Sequence, residues 1–224
     1  MVGKSFANQD VERLKSLELL LSFRERLVSN KQTLLVSAAE IRRVIETQPP
    51  DRFIYEQSQK DIERINKEIK EVEKRMLEQI AGDECLQENY ELISFIKGVA
   101  LINTVAILVA TQNFTRFENS RQFACYAGMA PFGKQSRTSI NTKPRVSRLA
   151  DKRIKTLLTQ AVKCAIVHNQ NIKRYYEWKL AEEKNKWLAT NNIRNKIIHR
   201  IFAIVRNKQK YQIDYRNPLQ KNVA

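Results

Sequence analysis

Acidic residues are nearly missing from the second part of this chain. Residues 92–224 hold six, Glu118, Asp151, Glu177, Glu182, Glu183 and Asp214, against 25 Lys and Arg, a net charge of +19. Residues 1–91 hold 18 acids against 15 Lys and Arg, a net −3. No grouping of the six suggests a two-metal site, and metal-assisted phosphoryl transfer needs clustered carboxylates to hold its ions. Glycine and proline are also scarce, five of each, which argues against a turn-rich all-β fold. Three cysteines, Cys85, Cys125 and Cys164, are odd in number and far apart. Without a Cys-x-x-Cys or a Cys/His pair for zinc, they read as buried free thiols of a reducing cytosol. The longest apolar run, 99–110, is broken by Asn103 and Thr104, well short of a bilayer span, and no signal peptide is visible. There is no H-E-x-x-H, P-loop, G-x-S-x-G or EF-hand loop. The two histidines, His168 and His199, fall on separate predicted helices.

What is present is a globular balance, 42% hydrophobic and 29% charged, in a chain long enough for one sizeable domain or two small ones. The positive excess concentrates in one stretch. Eight cations, Lys134, Arg137, Lys143, Arg145, Arg148, Lys152, Arg153 and Lys155, face one anion, Asp151, and Ser136, Thr138, Ser139, Thr142 and Ser147 stand among them. Like charges this close require either full solvation or a polyanion. Nucleic acid suits better than a membrane surface, because no helix pairs a broad apolar face with a cationic one. The cationic run leads into a helix that Ser147 is expected to open. Cations at a helix N-terminus oppose the macrodipole, so their place there points to phosphate binding.

The rest of the chain predicts an all-α fold. Residues 1–9 read as frayed. From Val11 two apolar seams run side by side, Leu14, Leu17, Leu21, Val28 and Leu35, then Leu20, Phe23, Leu27, Leu34, Ile41 and Val44, with Arg24 and Lys31 interrupting the first. The helix must stop near Thr47, before Pro49 and Pro50. A second helix, about Tyr55 to Ile80, carries Ile62, Ile65, Ile69, Val72 and Met76 in coiled-coil spacing. Together they predict a long antiparallel hairpin over 1–83, either a packing arm or a dimerisation arm. A compact helical domain is expected over 84–206 and a basic tail over 207–224. Within the domain, a helix ending at Gly98 followed at once by one from Leu101 resembles a helix-hairpin-helix, whose turn offers N–H groups to phosphate. Two core helices joined by a tight turn explain the same residues. Asn119 or Ser120 caps a short helix, and further helices are expected from about 147, over 169–183 and over 193–205.

A hydroxyl set among cations can attack a phosphodiester while they stabilise the developing charge. Ser136, flanked by Lys134 and Arg137, has that setting, although loop serines more commonly serve as turn residues.

Several runs carry a family resemblance: I-K-G-V-A, R-F-E-N-S-R-Q-F-A-C-Y-A-G-M-A-P-F, S-R-T-S, K-P-R-V-S-R-L-A-D-K-R-I-K-T-L-L, Y-Y-E and N-x-I-R-N-K-I-I-H-R-I-F-A. From about residue 90 to 206 the chain resembles the C-terminal Transposase 20 domain of the Piv/MooV-type DEDD insertion-sequence transposases. The resemblance implies a bacterial, cytoplasmic DNA recombinase whose C-terminal serine attacks DNA. The family's divalent metal is held by four acids of an N-terminal RuvC-like domain. In better-studied members a guide RNA directs target choice. The nucleophile's role carries to Ser136, the fifth position after Pro131. Gln135 stands where another serine is frequent, Arg137 and Glu183 where glycine is frequent, and Ala100 replaces a hairpin glycine. The chain begins at the helical arm, so the expectation is a truncated transposase with no metal or cofactor of its own. Two readings follow. One is a DNA-binding half that offers Ser136 to a composite site and is inactive without the metal domain. The other is a non-catalytic nucleic-acid-binding module that pairs with or inhibits an intact transposase. Expected partners are DNA, a guide RNA, and a second copy or a full-length transposase through the arm. The phosphate contacts are assigned to Gly98 and the eight cations.

Overall fold

The computed structural model describes residues 2–47, 52–129, 150–182 and 185–209. Among them the secondary structure is eight α-helices with no strand, the all-α class expected. The chain divides into two compact units, 1–87 and 88–224.

In the first unit, α1 (Val2–Thr47) packs on α2 (Arg52–Ala81). All five predicted α2 residues, Ile62, Ile65, Ile69, Val72 and Met76, are buried, and Ile80 extends the seam. The α1 helix contributes Leu17, Leu21, Leu27 and Ala38. Arg24 interrupts the apolar pattern but is not an error in it. Its Nε donates to Glu73 Oε1 at 2.7 Å, so the cation on the packed side is paired. Arg13 lies against Gly82 and Arg24 against Glu73, so the two helices run in opposite directions. Residues 2–9, expected to fray, continue α1, since no proline stands there to end it. The apolar residues of α1 divide: Leu19, Phe23, Val28, Leu35, Val36 and Val44 are exposed. Asp83 then opens α3 (Glu84–Ser94) by accepting from the Leu86 amide at 2.7 Å.

In the second unit, α8 (Lys186–Asn207) is the element on which α5 (Ser120–Tyr126), α6 (Lys152–His168) and α7 (Gln170–Ala181) pack. The apolar α4 (Leu101–Thr111) packs on α6. Ile193, Ile197, Ile198 and Ile201 of α8 are fully buried, as are Ala161, Val162 and Ala165 of α6. Buried Thr104 and Thr111 satisfy their hydroxyls on the carbonyls of Ala100 and Ile107, one turn back. No helix is long and apolar enough to cross a membrane among the described residues.

Three expectations change. The first α6 turn is opened by Asp151, not Ser147, because its carboxylate accepts two amides at once, from Arg153 at 2.9 Å and Ile154 at 3.1 Å. The α8 helix begins well before residue 193. Asn185 caps it, and its first turns carry exposed Trp187 and Leu188, so no apolar period announced them. The cysteines form no disulfide among the described residues and are not buried: Cys85 and Cys164 are exposed and Cys125 is half-buried. Leu86 takes the packed side beside Cys85, and Cys164 falls to the flank of the Ala161–Ala165 stripe.

Candidate nucleic-acid interface

The helix α5 leads into the cationic stretch. Asn119 caps it by accepting from the Gln122 amide at 3.0 Å, as its sequence predicts. It ends in a Schellman turn. Gly128, at φ +68°, donates to Cys125 O, and Met129 N donates to Ala124 O at 2.8 Å. Ala127 and Met129 are buried, so the chain is anchored as it enters the stretch. At the other end, Asp151 N donates to Tyr126 O at 2.9 Å, and Tyr126 Oη donates to Asp151 Oδ2 at 3.1 Å. Residues 126 and 151 are therefore latched twice, and the segment between them leaves and returns at one place. Lys134, Ser136, Arg137, Lys143, Arg145 and Arg148 belong to that segment and lie outside the described residues.

An aromatic cluster supports the latch. After α4, Gln112, Asn113 and Phe114 all adopt left-handed backbone, at φ 49°, 52° and 66°. Each such non-glycine residue costs about 1–2 kcal/mol. The turn is held by Asn113 N to Leu108 O at 2.8 Å, Phe114 N to Thr111 Oγ1 at 3.1 Å and Asn89 Nδ2 to Asn113 Oδ1 at 2.7 Å. It sets Phe114 edge-on to Phe202 and brings Phe117 against Phe123 and Tyr126. The Arg116 guanidinium stands 4.6 Å from the Tyr126 ring centre. Burial, joined by the Asp151 carboxylate, pushes the Tyr126 phenol above its ordinary pKa, and Arg116 opposes the shift.

Of the predicted phosphate contacts on α6, Lys152 is exposed, and Arg153 and Lys155 are half-buried beside the latch. The Asp151 carboxylate at their helix start offsets the macrodipole that their charges oppose. Gly98 lies elsewhere. Its backbone, at φ +98°, presses on the middle of α6, where an added Cβ would stand 2.6 Å from Ala161 O and 2.9 Å from Ala165 N. Ala161 is nine residues beyond Lys152, roughly 14 Å along the helix axis. Packing therefore requires this glycine on its own account, and the four residues do not form one cluster.

Two features escaped the sequence reading. On α7 and α8, Tyr175, Trp178, Lys179 and Lys196 interleave: Lys179 Nζ is 3.6 Å from the Trp178 ring centre and Lys196 Nζ is 4.1 Å from that of Tyr175. Only the α7–α8 contact brings these together. Burial, then the nearby Arg200 charge, lowers the Lys196 pKa. The second feature is at the entrance to the cationic stretch, where Asn191 Nδ2 donates to Met129 O at 2.9 Å, with Arg194 one turn further along α8. A sequence signal existed for Arg194: a cation on the side of the helix taken by Ile193, Ile197 and Ile198.

No three His, Cys, Asp or Glu side chains converge among the described residues. Asp151 caps α6, Glu118 accepts from Gln122 at 3.3 Å, and Glu182 from Lys179 at 3.0 Å. His199 Nδ1 instead lies in hydrogen-bond contact with Ser120 Oγ, 2.7 Å away, tying α8 to α5.

No curated protein matches the chain. Residues 90–177, from α3 through the basic stretch and α6 into α7, match the model described as Transposase IS116/IS110/IS902 family. Over those residues, less than half of the chain, it is similar to the Transposase IS116/IS110/IS902 family.

Proposed function

We propose that this chain is the C-terminal portion of an insertion-sequence transposase, binding DNA through the cationic segment and offering Ser136 as nucleophile. The observation that carries the reading is the double latch between Tyr126 and Asp151. It gathers the root of a segment holding Ser136 and five cations next to Lys152, Arg153 and Lys155. In the step this assigns, the Ser136 hydroxyl gives up its proton and Oγ bonds to phosphorus. One P–O bond to deoxyribose breaks, and the departing oxygen takes a proton. Attack by a hydroxyl of another strand reverses the exchange and frees the serine. The surrounding cations stabilise charge on the phosphoryl oxygens as it develops. Under this proposal the carboxylates that hold the metal lie outside residues 90–177 and act together with Ser136.

Two measurements test the reading. Duplex binding that contacts roughly six phosphates gives a plot of log affinity against log salt with a slope near −5; a flat plot removes DNA binding from consideration. With element-end DNA and a metal-domain-bearing family member supplied, a covalent protein–DNA adduct forms, and Ser136→Ala abolishes it. An adduct of undiminished yield from that variant rules the serine out. Adding the element's own transcript shows whether a guide RNA takes part.

A second reading, a non-catalytic module that pairs with an intact transposase, draws on α1. Leu19 is 72% exposed and Val44 52%, apolar surface left over after α2 has packed. Under this reading the chain lowers transposition by the intact enzyme, and Ser136→Ala lowers it equally well.

A further inference from the structure

Arg194 is 2% exposed and makes no ion pair among the described residues. Its Nη1 reaches Asn191 Oδ1 at 3.5 Å, at the outer limit of a hydrogen bond, and its Nε has no partner. Burial lowers its pKa, yet a guanidinium stays charged in proteins. A buried charge without a counter-charge is destabilising unless an anion is supplied to it. Asn191, which touches Arg194, also holds Met129 O, the last described residue before the cationic stretch, and residues 130–149 contain no Asp or Glu. Asp151, at the far end of that stretch, is already committed to Tyr126 and two α6 amides.

We infer that Arg194 is a phosphate-binding residue, its counter-ion a backbone phosphate of nucleic acid held at the root of the cationic segment. The inference rests on the nucleic-acid reading above and adds to it a residue from α8, beyond the matched domain. Its planar fork suits two phosphate oxygens, and Nε is one of the donors left open for them. Access needs a side chain to turn aside. Trp187, whose ring centre is 5.9 Å from the guanidinium carbon, is 70% exposed and has little packed against it to resist a change of rotamer.

The test uses the full chain and a short DNA duplex, comparing the natural protein with Arg194→Met and Arg194→Lys. Replacing an unpaired buried charge by an apolar side chain of similar length is neutral or stabilising, so Arg194→Met melts at the same temperature or higher without DNA. The same variant binds DNA about tenfold more weakly, and its salt slope is shallower by about one. Arg194→Lys keeps the slope, because it keeps the charge, and loses part of the affinity. A structural arginine gives the opposite pattern. If Arg194→Met melts lower or does not fold, the residue is holding the fold and the inference is overturned. If the natural protein shows a steep slope that Arg194→Met shares in full, the inference fails while DNA binding stands. A flat slope in the natural protein removes both.

Discussion

Gly98 and Tyr126 show how single residues position the cationic segment. The glycine combines a left-handed backbone with an approach to α6 too close for any side chain. Gly98→Ala adds backbone strain to overpacking, a loss of about 3 kcal/mol in unfolding free energy. An unchanged denaturation midpoint would show that α6 yields more easily than its backbone contact implies. Tyr126→Phe removes the bond to Asp151 Oδ2, worth about 1 kcal/mol. Its pH dependence is more informative. The folded phenol titrates above its ordinary value of 10.0, so the native state holds its proton more tightly than the unfolded chain. The resulting stability is complete below about pH 10 and is lost as pH rises through the folded pKa. Urea midpoints of the natural protein and Tyr126→Phe should therefore converge as pH is raised from about 8 to about 11. A constant gap between them would mean that the latch does not depend on the proton.

At the scale of elements, the helices of the arm separate packed from unpacked apolar residues. Met76 is wholly buried, and Met76→Ala should cost about 2–5 kcal/mol. Leu19, 72% exposed, loses almost nothing in a lone chain, within about 0.5 kcal/mol. If the arm joins two chains, Leu19→Glu shifts the sedimentation profile toward monomer while the unfolding midpoint at low concentration stays put. Sedimentation that does not change with concentration in the natural protein would remove the association role from α1. The sequence announced α2 well, because every packed residue in it is apolar and regularly spaced. It announced α1 poorly, since a paired cation, Arg24, occupies the packed side and several apolar residues do not.

For the molecule as a whole, charge is the governing quantity. Residues 92–224 carry +19 and few acids to neutralise it. Self-repulsion of this kind weakens a fold and is screened by salt. Without nucleic acid, the melting temperature should rise by several degrees between about 20 mM and about 500 mM sodium chloride. A DNA duplex at low salt should raise it too, since a ligand that binds only the folded state stabilises it. A melting temperature that falls with salt would mean that attractive pairs dominate the second unit after all.

The helical class, the arm's second helix, the Asn119 cap and the clustering of cations followed from the sequence alone. Each depends on residues close together in the chain, through period, capping chemistry or charge count. The site depended on contacts across long intervals. Tyr126 meets Asp151, Asn191 meets Met129, and Gly98 meets Ala161, pairings that no local pattern encodes. The start of α6 was misplaced because Ser147 and Asp151 are both good caps, and only the packed helix decides which carboxylate or hydroxyl faces the free amides. Sequence determined that this chain offers positive charge on a helical frame. Tertiary structure decided where that charge is rooted and left the Arg194 guanidinium buried without an anion among the described residues, because burial belongs to the whole packed unit and not to any stretch of the chain.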